Sequence, residues 1–130
     1  MKNRLHQVAL PVRDLEVAER FYEEIIGLTP IKRFDPPGLA FFDLAGTRLL
    51  LERMAEPTIG HSVLYLETPD ISAEHARLLR AGVDFLGEPR LIHLDAAGAF
   101  GAPGTEEWMA FFHDPDGNAL ALVQRRIPTS

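Results

Sequence analysis

His93 and the pair Glu106-Glu107 stand on either side of a Gly- and Ala-rich stretch, Asp95–Thr105. An imidazole and a carboxylate on neighbouring strands can pass a proton or share a cation. Left apart, the same residues are an exposed histidine at a loop mouth and two surface carboxylates. A second group is His61, Tyr65 and Glu67, at even spacings in one apolar run. Even spacing on a strand puts all three on one face. If that face lines a cavity, Glu67 is a half-buried carboxylate and a candidate base; if it faces outward, Glu67 is a rim charge. The aromatic residues Phe41, Phe42, Trp108, Phe111 and Phe112 read first as core. Some of them, with Met109 and Tyr65, could also form an apolar wall for a flat ligand. His113 beside Asp114 reads as a turn-supporting hydrogen-bond pair, and His75 reads as a surface residue of a helix.

Composition narrows what such groups could serve. The chain has 130 residues, 46% apolar and 25% charged, enough for one domain with a proper core. Its net charge of −6 argues against nucleic acid or an anionic membrane as partner. The absence of cysteine excludes disulfides, thiolate metal sites and a cysteine nucleophile. No apolar run approaches a membrane span, and Met1-Lys2-Asn3-Arg4 does not lead into a signal-peptide core. A cytoplasmic location is the default expectation.

The elements that must position these side chains come in two matching sets. Leu5 to Val12 alternates as a strand, with Gln7 and Ala9 on one face and Val8, Leu10 and Val12 on the other. Pro11 cannot donate to a ladder, which predicts a free edge or an irregularity. Asp14 offers an N-cap, Val17, Phe21 and Ile25 follow at helical spacing, and Gly27 is suited to end the helix. Strands are expected over Pro30–Phe34, Leu39–Leu44 and Thr47–Arg53, separated by Pro36-Pro37-Gly38 and Ala45-Gly46. The order then repeats. His61–Thr68 is a strand, Asp70 a second cap, and a helix with Ala76 and Leu79 on one side ends near Gly82. Val83–Leu94 follows, with a candidate break at Gly87-Glu88-Pro89, then Glu107–His113 and Ala119–Gln124 around the turn Asp114-Pro115-Asp116-Gly117-Asn118. Two strand–helix–strand–strand–strand modules result, over residues 5–53 and 61–124, joined by a linker at 54–60. The fold class is α+β. One helix covers only one face of each curved mixed sheet, so two open faces set side by side would make a ligand trough.

The chain resembles the vicinal oxygen chelate superfamily, which groups glyoxalase I, bleomycin-resistance proteins and extradiol dioxygenases. The likeness rests on Gln7-Val-Ala-Leu-Pro-Val-Arg-Asp-Leu15, Phe21-Tyr22, Gly27-Leu28, Leu49-Leu-Leu-Glu52, Gly60-His61, Asp70-Ile71, Gly82-Val83 and Asp114-Pro-Asp-Gly-Asn118, and so covers nearly the whole chain. It implies paired βαβββ modules, a homodimer, and a small-molecule ligand. In metal-dependent members four residues hold a divalent ion (Ni, Mn, Zn or Fe) that polarises vicinal oxygens. Carried over, they are Gln7, Glu52 and His61, with the fourth at Ala121. Counting back from the second cap gives Val63 as an alternative to His61. In glyoxalase-like members the fourth residue is also the proton-shuttling base, and an alanine can neither ligate nor take a proton. The resemblance therefore implies the fold, while Ala121 argues against the standard glyoxalase I mechanism.

Two readings of function follow. One is an enzyme, a lyase, isomerase or dioxygenase acting on a small oxygen-rich substrate. Glu67, His93 and Glu107 are its catalytic candidates, Tyr65, Met109, Phe111 and Ala121 line its substrate site, and Gln7, Glu52 and His61 hold its ion. The other is a non-catalytic protein that sequesters an aromatic or cationic compound, for which nothing is needed at Ala121.

Overall fold

A computed structural model describes residues 5–57 and 62–129. The chain divides into two compact units. The first contains β1 (Gln7–Val12), α1 (Leu15–Arg20), a π-helical continuation (Phe21–Ile26), β2 (Thr29–Phe34), β3 (Leu39–Leu44) and β4 (Thr47–Arg53). It also takes in Asp114–Asn118. The second contains β5 (Val63–Glu67), α2 (Ile71–Arg80), β6 (Arg90–Asp95), β7 (Thr105–His113) and β8 (Ala119–Arg126). Each unit has one mixed four-stranded sheet, in the orders β1-β4-β3-β2 and β5-β8-β7-β6. The two modules expected from the sequence are therefore present, and Pro11 does lie on an edge strand.

In the first unit the helix starts because Asp14 Oδ1 accepts from the Val17 amide at 3.1 Å. It ends at Gly27, whose φ of 92° a side chain would strain. Before that end the helix widens by one residue, and the Gly27 amide donates to the Tyr22 carbonyl at 3.1 Å. Phe21 and Tyr22 both turn inward and join Leu15 and Ala18 on the sheet. The buried face is thus Leu15, Ala18, Phe21 and Tyr22, while Val17 is exposed. They pack on Leu10, Val12, Ala40, Phe42, Leu49 and Leu51, which the strand period places on one side.

Tyr22 is fully buried, and its hydroxyl donates to Asp114 Oδ2 at 2.8 Å. Burial first, then the Asp114 carboxylate, raises the pKa of this phenol far above its ordinary value. Asp114 also accepts from the amides of Asp116 and Asn118 and from Asn118 Nδ2. Asn118 Nδ2 in turn reaches the Pro11 carbonyl at 3.1 Å. All four bonds to Asp114 involve residues other than His113, which is exposed. The expected His113–Asp114 pair is replaced by this cluster, because a strand end points His113 outward while the turn folds Asp114 back.

In the second unit Asp70 caps α2 by accepting from the Ala73 amide at 3.1 Å. The buried face is Ile71, His75 and Leu78; Leu79 is exposed. The side that carries Ala76 and Leu79 is thus one position away from the buried one. His75 is buried, not on the surface, because its ring sits edge-on to Phe85 with centroids 4.3 Å apart. Phe85 makes only an isolated bridge to Phe112, so the strand expected over Val83–Leu94 begins at Arg90. Beyond β6, Asp95 pegs the Ala-rich loop: its carboxylate accepts from the amides of Ala99 (2.7 Å) and Phe100 (2.9 Å). The Phe100 amide first, then Ala99 with the charges of His93 and Arg125, outweighs burial and holds this carboxyl below the usual carboxylate range. The Gly- and Ala-rich stretch thus begins as a hydrogen-bonded turn about a buried aspartate.

Candidate functional site

With Leu120, Leu122, Ala110 and Phe112 buried on the helix side of the second sheet, strand alternation turns Ala121, Val123, Met109 and Phe111 to the open side. The register orders that open side into rows. Tyr65, Ala121 and Phe111 form one row; Glu67, Val123, Met109 and Arg90 form the next; Arg125, Glu107 and His93 form a third. Seven sequence candidates, Tyr65, Glu67, His93, Glu107, Met109, Phe111 and Ala121, therefore share one face.

The middle of the first row carries the most informative contact. Tyr65 and Phe111 are two strands apart, about 10 Å by ordinary sheet spacing. Their ring centroids nevertheless meet at 6.3 Å, edge to face. Only the methyl of Ala121 stands between their strands, and Ala121 is fully buried. A larger residue there would hold the rings apart. Position 121 is thus an aromatic closure, and no lone pair is presented at it.

Beside Phe111 a cleft of about 340 Å³ is lined by Met109, Ala110 and Phe111 from β7 and by Leu86, Gly87, Glu88, Pro89 and Arg90 from the segment ahead of β6. That segment is held by the Leu86 amide donating to the Phe111 carbonyl at 2.8 Å. On its far side His75 Nδ1 lies 3.9 Å from Glu88. The volume falls in the range of small-molecule sites. Leu86, Pro89 and Arg90 escaped sequence reasoning, since a Gly-Glu-Pro break marks a turn without saying what it leans on.

His93 and Glu107 are direct cross-strand partners, so their Cβ atoms are neighbours at roughly 5 Å. A bulge makes this possible. The register slips between Leu91 and His93, leaving Ile92 as the extra residue. Without it, Arg90 and His93 would point to opposite faces. Glu107 has Arg125 as its other neighbour, and the His93 ring lies 6.1 Å from that of Phe100. Glu67 is exposed at the opposite edge of the sheet.

In the first sheet the open face carries Gln7, Ala9, Leu50, Glu52, Arg48 and Phe41. The register does not bring Gln7 and Glu52 together: Gln7 pairs with Arg48, and Glu52 lies opposite Pro11, about 13 Å further along. By the repeat, the position matching Ala121 is Leu50, since Phe41, Leu50 and Ala9 form the row that Phe111, Ala121 and Tyr65 form in the second sheet. His61 lies outside the described residues. Gln7 Oε1 is buried without a hydrogen-bond partner. Among the described residues no three His, Asp or Glu side chains are grouped to hold a metal. Among the described residues, Gln7 with Leu50 and Ala121 at the other matching positions is too poor a donor set for the divalent ion implied by the resemblance.

Among the described residues no helix is long and apolar enough to cross a membrane. Residues 4–122 match the family described as the Glyoxalase/Bleomycin resistance protein/Dioxygenase superfamily. Solved structures share the fold. A virulence protein from Salmonella typhimurium is 24% identical with a TM-score of 0.72, covering 95% of this chain and 98% of its own. A member of the same superfamily from Sphaerobacter thermophilus is 23% identical, with a TM-score of 0.73 and coverage of 95% and 98%. A lactoylglutathione lyase from Agrobacterium tumefaciens is 18% identical, with a TM-score of 0.71 and 95% of each chain covered. No curated protein matches the chain significantly.

Proposed function

Because the chain belongs to the glyoxalase/bleomycin resistance protein/dioxygenase superfamily, we propose that it binds a flat aromatic small molecule against the Met109–Phe111 wall of the second sheet, without a divalent ion. The observation that carries this reading is the Tyr65–Phe111 ring pair closed over Ala121. Where the family's ion-holding members need a carboxylate, this chain has an aromatic surface beside an apolar cleft. Family likeness further supports a homodimer in the cytoplasm, which sedimentation and fractionation would check.

A thermal-shift screen of planar aromatic compounds is expected to raise the melting temperature, and Phe111→Ala to abolish the rise. Soaking with Ni²⁺, Mn²⁺, Zn²⁺ or Fe²⁺ is expected to leave well under one ion per chain. Stoichiometric retention that Gln7→Ala or His61→Ala removes would overturn the ion-free reading.

A second reading, catalysis, is favoured by the pairing of His93 with Glu107. The two would share a proton at the third row, where Arg125 is the other cross-strand neighbour of Glu107. Turnover of a bound aromatic that His93→Gln and Glu107→Gln both remove, with binding retained, would establish it.

A further inference from the structure

We infer that the ligand of the β6–β7 cleft is an organic anion, a flat apolar body bearing a carboxylate that Arg90 reads. This rests on the proposed site and goes beyond it by fixing the charge of what binds. The cleft walls are Leu86, Pro89, Met109 and Phe111, all apolar, with Arg90 and Glu88 its only charged members. The two differ in what already occupies them. Glu88 lies 3.9 Å from buried His75 on the far side of the segment. The Arg90 guanidinium has no ion-pair partner among the described residues.

Comparison with the other cleft sharpens the point. In the first unit a cleft of about 420 Å³ is lined by Arg13, Arg33 and Arg53 together with Asp14, Glu16 and Asp35. Three guanidiniums look like a stronger anion site, yet each is already matched. Arg33 is 3.1 Å from Glu19, Arg53 is 2.8 Å from Asp35, and Arg13 is 3.9 Å from Asp116. An anion entering there would have to displace carboxylates. At Arg90 it would displace only water.

The other carboxylates of this face are either distant from Arg90 or have cationic neighbours of their own. It shares a row with Met109, Val123 and Glu67, which puts Glu67 three strands distant, about 14 Å. Glu107, in the next row, is flanked by Arg125 and His93. The Ile92 bulge is what turns Arg90 and His93 to the same side. A guanidinium at the end of an apolar wall matches a planar carboxylate in two parallel hydrogen bonds, while the wall covers the ring.

The test uses three isosteric probes on the whole chain by calorimetry: 1-naphthoate, 1-naphthamide and 1-naphthylmethylammonium. The carboxylate is expected to bind about tenfold more tightly than the amide, and the ammonium most weakly. Arg90→Gln should bring the carboxylate down to the level of the amide, and Arg90→Glu should reverse the order in favour of the ammonium. Arg90 is exposed, so neither change threatens the fold. Equal binding of amide and carboxylate, or a preference surviving in Arg90→Gln, overturns the inference; if Phe111→Ala still abolishes amide binding, the aromatic site itself stands. Failure of all three probes to bind overturns both.

Discussion

The two repeats lay the same strands side by side and fill the middle of their open faces in opposite ways. In the first sheet the central row is Phe41, Leu50 and Ala9; in the second it is Phe111, Ala121 and Tyr65. Both begin with a phenylalanine. The first then sets a large residue on the central strand and a small one at the edge, while the second does the reverse. The consequence is visible in the rings. Phe41 meets Phe34 at 6.0 Å and an Arg48 guanidinium at 5.6 Å, turning toward its own hairpin and a charge. Phe111 meets Tyr65 across the small residue. One backbone plan thus gives a filled face in one half and an aromatic face with an adjoining cleft in the other.

The edges differ in the same spirit. Both outer strands carry a bulge, at Ile31 and at Ile92. In β2 it lies beside Pro30, Lys32 and Arg33, residues that blunt an edge, and Arg33 is spent on Glu16, Glu19 and Asp35. In β6 it delivers Arg90 and His93 to the open face.

The largest blow to this comparison would come from the turn between β7 and β8, which is counted in the first unit. Asp114→Ala removes one carboxylate that four donors share, and is expected to cost about 3 kcal/mol or more in denaturant unfolding. A loss below about 1 kcal/mol would show that the cluster is incidental. Next, Ala121→Leu copies the first sheet's pattern into the second. It should separate Tyr65 from Phe111, cost roughly 1–3 kcal/mol through overpacking, and weaken aromatic binding. Unchanged affinity would mean that the ring pair is not the ligand wall. Smaller effects should be equal between halves: Asp14→Ala and Asp70→Ala remove matching caps and should each cost about 1 kcal/mol. A cost confined to one would show that the repeats differ in how far their helices depend on local caps.

The smallest effect separates the halves by pH. Asp95 has a folded pKa below its unfolded one, so its contribution is complete above the ordinary carboxylate value near ~4 and is lost as the pH falls through the depressed folded value. Protection of the Ala99 and Phe100 amides against hydrogen exchange should therefore hold from neutrality to about pH 4 and fade only below it. Fading already at pH 5 would contradict the peg.

Much of this was legible in the chain itself. The Pro-Pro-Gly and Ala-Gly breaks delimit Leu39–Leu44 and Thr47–Arg53 because turn residues act locally, and Asp14 and Asp70 announce their helices for the same reason. Strand parity grouped Gln7 with Ala9 and Tyr65 with Glu67, each pair on one face. What escaped depends on partners distant in sequence. The Ile92 slip is set by β7, so the open-face position of Arg90 could not be read from alternation within β6. His75 is inside because Phe85 covers it, and Phe85 lies past the helix. The separation of Gln7 from Glu52 follows from a parallel register that neither strand states alone.

The turn at Asp114–Asn118 is encoded near one end of the chain and counted in the unit built by the other. A gene fragment ending after β4 would translate every strand of the first sheet and still leave the Tyr22 phenol with no acceptor at its centre. The first sheet therefore cannot be inherited or shortened without five residues encoded between the last two strands of the chain.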